Sequence, residues 1–190
     1  MLRPDSDRMG RSGQRWSVLG VTLMGAALGG CHALNATEQG KIPHEGSAEL
    51  VRYISDQPFV TAEPAYRAIY ALWKGEAFDG DFDALTTKMR TEKLIGKDWD
   101  YEPNRYLERG TIAFMVCRAC RIKGGINWAL TGLGRYAWRE LQFKGIAGDG
   151  SEYGLMSGGE FVGMLLRAED YLQRTGARDM QRPDLGSPGG

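Results

Sequence analysis

The sequence predicts an all-α domain: a small helical bundle of about three helix–loop–helix repeats, the first of them truncated. Three observations carry that expectation. Apolar residues recur at spacings of three and four, the period of a helix with one buried face. Glycine-rich joints at 75–80, 124–134 and 145–159 separate those segments. Similar stretches also return at offsets of 47 and 49 residues, from Val60 to Leu107 and from Leu107 to Met156.

Each element has its own justification. Residues 65–73 place Tyr66, Ile69, Tyr70 and Trp73 on one stripe, and 112–120 do the same with Ile112, Met115, Val116, Ala119 and Cys120. Residues 161–171 align Phe161, Met164, Leu165 and Ala168. Two further helices are expected over 82–94, with Leu85, Met89 and Leu94 facing inward, and over 135–143, with Ala137, Trp138 and Leu141. Ala48 to Ile54 stands for the leading helix of the truncated first copy, and the run NWALT at 127–131 reads as a short strand. The repeat is visible as Arg109-GTIAFMVCRA beside Gly158-GEFVGMLLRA, and as Met89-RTEKLIG beside Leu141-QFKGIAG.

The chain has 190 residues, with 24 Lys and Arg against 24 Asp and Glu, 42% apolar and 25% charged. That composition excludes wholesale disorder and a collagen-like fibre, and a net charge of zero excludes a polycation holding nucleic acid. Only one apolar stretch approaches membrane-spanning length, so a polytopic membrane protein is excluded too. Three cysteines are too few for a disulfide scaffold.

Residues 1–30 read as a signal peptide: Arg3, Arg8, Arg11 and Arg15, then the apolar run WSVLGVTLMGAAL over 16–28, then small residues. Leu28-Gly29-Gly30-Cys31 resembles the lipobox of bacterial lipoproteins. The resemblance implies cleavage before Cys31, lipid attachment at its thiol and a membrane anchor, with palmitate among the acyl chains. His32, where an Asp would imply inner-membrane retention in that family, points to the outer membrane. Without its first thirty residues, which hold four Arg and two Asp, the chain carries a net charge of −2. Residues 31–46 are polar and aperiodic, as a tether is, and 175–190 read as a disordered tail; the domain is expected over 47–174.

The repeat ends a first helix in glycine, passes an acidic, aromatic and proline loop, and starts a second helix. Its best copies are Leu94-IGKDWDYEPNRYLERGTIAFMVCRA and Gly145-IAGDGSEYGLMSGGEFVGMLLRA, and in this they resemble the S-layer homology (SLH) domain, over roughly residues 57–170. The resemblance implies a pseudo-threefold bundle whose grooves bind an acidic cell-wall polymer, through an arginine of a Thr-Arg-Ala-Glu-like motif. Only Arg109 occupies that arginine's slot; Ala62 and Gly158 fill the others. An arginine at a helix start opposes the dipole, so an anion is its natural partner. Asp98, Trp99 and Asp100, in the loop of the same copy, complete the expected polymer-binding set, although a solvated turn is the default reading of the two aspartates, and Trp99, Tyr101 and Trp128, which could stack on sugar rings, read first as core packing. Thr61 reads as a helix cap, and Ser157 with Glu160 as a capping box.

Other constellations read as structure. Cys117-Arg-Ala-Cys120 lies late in a helix, where the dipole opposes a thiolate, and lacks the further ligands of a zinc or haem site. Asp79, Asp81 and Asp83 lack the Gly and Glu positions of an EF-hand, and Asp81 or Asp83 reads as a helix cap. Both histidines, His32 and His44, lie before the domain, so no catalytic triad is available to it. No cofactor, metal or catalytic residue is expected. The function expected is non-covalent: binding a cell-wall polysaccharide or an envelope partner protein. A purely structural or assembly lipoprotein is the alternative, and an envelope glycan hydrolase a more distant one.

Overall fold

The computed structural model describes residues 47–176 together with Ala36, Ile42 and Pro43. The expected signal peptide, Cys31, His32 and His44 lie outside the described residues, as do most of the tether and the tail beyond Gly176. Among the described residues the elements are helical: α1 (Ser47–Ser55), α2 (Ala62–Lys74), α3 (Phe82–Thr91), α4 (Arg109–Ala119), α5 (Ile126–Thr131), α6 (Gly134–Phe143) and α7 (Gly158–Thr175). No helix among them is long and apolar enough to cross a membrane.

The expected stripes form the core. Ile69, Leu85, Met89, Ile112, Met115, Val116, Leu141, Phe161 and Met164 are completely buried, with Tyr66 and Trp138 nearly so. Three short helices each lie against a different longer one: α3 on α2, α6 on α4 and α1 on α7. The first helix thereby packs on the last, and α2 also touches α4 and α7. A ring of backbone hydrogen bonds joins the residues that precede α2, α4 and α7. Val60 N donates to Met156 O (2.9 Å), Met156 N to Leu107 O (3.2 Å), and Leu107 N to Val60 O (2.9 Å). All three residues are buried, so these bonds are shielded from water.

Helix ends follow from local chemistry in some places and from distant chain in others. Asp81 caps α3 by accepting from Ala84 N at 2.8 Å, as its position suggests. After α3 and α6 the chain turns alike: Leu94 N donates to Met89 O and Ile146 N to Leu141 O, with Lys93 and Gly145 in the left-handed region. Lys93 therefore holds a conformation that glycine adopts without strain.

Thr61 departs from expectation. It occupies the N-cap position of α2 but makes no side-chain cap hydrogen bond. The reason is partly local: Pro64, at the third helical position, has no amide to offer, and the amide of Glu63 is taken by the carbonyl of Pro103 (3.0 Å), beside that of Ala62 on Arg105 (2.9 Å). The same device covers α4, where Arg109 N donates to Gly154 O and Gly110 N to Glu152 O, and α7, where Gly158 N donates to Gln57 O. A loop carbonyl thus does at each helix start what a capping side chain does elsewhere.

The short strand expected at 127–131 is instead α5. Glycines bound it, Gly125 at its start and Gly132 (φ 60°) at its end, and Trp128 is buried edge-on against Phe114. A tertiary anchor on one aromatic decides the conformation that Trp and Thr propensity suggested wrongly. Within the segment read as a tether, Ile42 is buried in the core and Ala36 exchanges hydrogen bonds with Asn104 (2.9 and 3.2 Å).

Candidate functional site

Arg109 begins α4, and its guanidinium reaches across to α7. Its Nε donates to one oxygen of Glu160 (2.8 Å) and its Nη2 to the other (3.0 Å), a two-pronged pair, while Nη1 reaches the Tyr153 carbonyl at 3.3 Å. The hydrogen bond to Glu160 holds the guanidinium above its ordinary pKa, so it is charged at every accessible pH. Both side chains keep about a quarter of their surface exposed, 29% for Arg109 and 25% for Glu160.

Glu160 therefore fulfils half of the expected capping box. Ser157 does cap α7, accepting from Glu160 N at 3.3 Å, but the Glu160 carboxylate serves Arg109 instead of the N-cap amide. Electrostatics explains the choice: a charged partner outweighs a neutral backbone donor. Gly154, in the left-handed region at φ 96°, lies where a side chain would press on the guanidinium, since its Cβ would stand 3.2 Å from Nη1.

Beside this pair opens a surface groove of about 320 Å³, lined by Glu108, Thr111, Leu133, Arg135, Glu152 and Tyr153 among others. Tyr153 is 66% exposed and offers a ring face to solvent. Gly110 and Gly134 bring the backbones of α4 and α6 together here, and a Cβ on Gly134 would stand 2.6 Å from Gly110 O. Sequence reasoning found Arg109 but not Glu152 or Tyr153. The signal for them was available in the repeat alignment, which sets the 149–155 loop beside the 98–106 loop.

The other expected binding residues make their contacts elsewhere than on Arg109. Asp98 and Asp100 are exposed in the loop before α4, and Trp99 is half-buried between them. Trp99 stacks on Tyr101 (5.4 Å between ring centres) and tilts against Phe114 (5.1 Å), and its carbonyl accepts from Arg90 at 2.8 Å. Phe114 in turn meets Trp128, with the Arg118 guanidinium over both rings. This row of aromatics packs the α3–α4 loop and α5 onto α4, which is the packing role weighed for Trp99, Tyr101 and Trp128. The hydrogen bonds of Arg109 go to Tyr153 and Glu160 and not to this loop.

Cys117 and Cys120 are both buried, and burial, reinforced by Cys120, pushes the Cys117 thiol well above its ordinary range. A thiol in that setting is no nucleophile at neutral pH. Among the described residues no group of His, Cys, Asp and Glu is placed to hold a metal ion. Compared with protein families, with curated proteins and with solved structures, the chain matches none.

Proposed function

We propose that this is an exported, lipid-anchored envelope protein whose SLH-like domain binds a cell-wall polymer or an envelope partner non-covalently. The observation that carries the reading is the backbone ring at Val60, Leu107 and Met156. Those residues are the ones the 47- and 49-residue offsets align, and repeats around a common axis require such equivalent contacts. The cyclic packing of α1 on α7, α3 on α2 and α6 on α4 supports the same kinship. The lipid anchor rests on Leu28-Gly29-Gly30-Cys31 following the apolar run, and His32 favours the outer membrane.

On this reading the polymer meets the groove beside Arg109, with Tyr153 as a stacking surface for a sugar ring. An anionic group of the polymer would compete with Glu160 for the guanidinium. Binding of purified cell-wall polysaccharide tests this. The parent chain is expected to bind, and Arg109→Ala to lose about tenfold or more, as removal of a charge-assisted pair does. Absence of binding by both the parent and Glu160→Gln, which leaves Arg109 accessible, would overturn it.

A second reading has its own support: the bidentate Arg109–Glu160 pair satisfies the arginine internally, as a structural or assembly lipoprotein without glycan binding requires. The anchor is tested separately. Labelled palmitate is expected to be incorporated by the parent and not by Cys31→Ser, and absence of label from the parent would exclude lipidation.

A further inference from the structure

Between Glu108 and Glu140 the chain contains no acidic residue, yet it carries Arg109, Arg118, Arg121, Lys123, Arg135 and Arg139. In a chain of zero net charge this is a pronounced asymmetry. The same stretch exposes large apolar side chains: Ile126 and Leu130 at 78% each and Leu133 at 46%. Ile126 and Leu130 are four residues apart on α5 and so share one face of it, while Trp128 anchors the opposite face in the core.

The cations fringe that apolar face. Arg139 lines the same cleft as Ile126 and Asn127, where the Glu140 carboxylate is taken up by the Gly125 amide. Arg118 lies over the Trp128 ring and reaches toward Gly132 at the end of α5. Arg118, Lys123, Arg135 and Arg139 are all exposed. The connection from α4 to α6 runs over 120–133, twice as long as the 75–81 connection from α2 to α3, and α5 is the part that makes up the difference.

We infer that α5 and its basic fringe form a docking surface for an anionic lipid bilayer, with Ile126 and Leu130 entering the headgroup region. Exposed apolar tips ringed by arginine and lysine match a surface that is negative outside and apolar just beneath. An acidic polymer would satisfy the cations but leave the apolar tips in water. The inference draws on the anchor reading only for bringing the domain to a membrane, and its test uses an unacylated chain.

The chain from residue 31 onward, the form that the signal-peptide reading leaves, carrying Cys31→Ser, is mixed with vesicles of equal parts phosphatidylglycerol and phosphatidylcholine, or of phosphatidylcholine alone, and floated. The parent is expected to favour the anionic vesicles, with amides 126–133 gaining protection from hydrogen exchange. Ile126→Asp with Leu130→Asp should cut binding to anionic vesicles about tenfold, and Lys123→Glu with Arg139→Glu should erase the preference for them. The substituted side chains are exposed, so thermal unfolding should match the parent. Vesicle binding unchanged in both variants overturns the proposal, and so does loss of binding to acidic polysaccharide alone. The anchor reading fails on a different result, absence of palmitate label from the parent chain in cells.

Discussion

Two arginine–glutamate pairs stand near the starts of α2 and α4, and they are built to different ends. Arg67, 3% exposed, donates through Nε and Nη2 to Glu63 one turn back, and also to the carbonyls of Phe78 (3.4 Å) and Gly80 (3.1 Å). It ties the α2–α3 connection to the body of the domain. Arg109 pairs just as well with Glu160, but from another helix and with both partners part-exposed. The difference teaches how one pair of residue types makes a clamp in one place and a latch in another. A buried charge without its partner is costly, whereas water can replace either partner of an open pair.

Removing the clamp should have the largest effect. Arg67→Met is expected to destabilise the domain by about 3 kcal/mol, because Glu63 and two carbonyls lose their donors in a site with little water. A loss in urea unfolding no larger than that of Arg109→Ala would break the comparison. Gly158→Ala comes next. At that helix start a Cβ would fall on the Ile54 carbonyl oxygen and stand 2.7 Å from Gln57 O, so the start of α7 must move away from α1. A cost of about 2 kcal/mol is expected, and Gly159→Ala, whose Cβ meets open space, is its control.

The latch should matter less. Arg109→Ala is expected to cost about 1 kcal/mol or less, and that cost should shrink in high salt. A salt-insensitive loss as large as that of Arg67→Met would make Arg109 a second clamp and remove its availability to a ligand.

The smallest effect at neutral pH belongs to Tyr66→Phe. The Tyr66 hydroxyl is buried with no hydrogen-bond partner, so its removal should change stability by well under 1 kcal/mol and could raise it. At alkaline pH it should matter more. Burial lifts Tyr66 above its ordinary 10.0 and Cys117 above 9.0, so the folded state keeps protons that the unfolded chain releases. The stability these groups contribute is full below the unfolded values and falls as pH rises through 9 and 10 toward the folded ones. The urea midpoint should drop over that range, and drop less steeply in Tyr66→Phe.

Much of the architecture was legible because it is local. The stripes that predicted α6 and α7 lie on the faces turned to the core, since a helix of fixed period must turn its apolar side inward, whereas α2 and α4 are enclosed almost all round and bury residues beyond their stripes. Asp81 at the start of α3 and Ser157 at the start of α7 were legible for the same reason, each satisfying an amide three residues away. What failed was whatever depended on distant chain. The Thr61 side chain makes no cap bond because the carbonyl from 103 takes the one amide that Pro64 leaves within its reach, and the 127–131 segment is helical with Trp128 against Phe114.

By itself, then, the sequence determined that the domain is helical and where most of its apolar stripes lie, because those depend on neighbours within a turn or two. Only the tertiary structure decided what the long polar side chains do. Glu160 was readable as a cap and became the partner of Arg109, which lies 51 residues away. A flexible carboxylate takes the strongest donor within reach, and reach is set by which helix the fold places opposite.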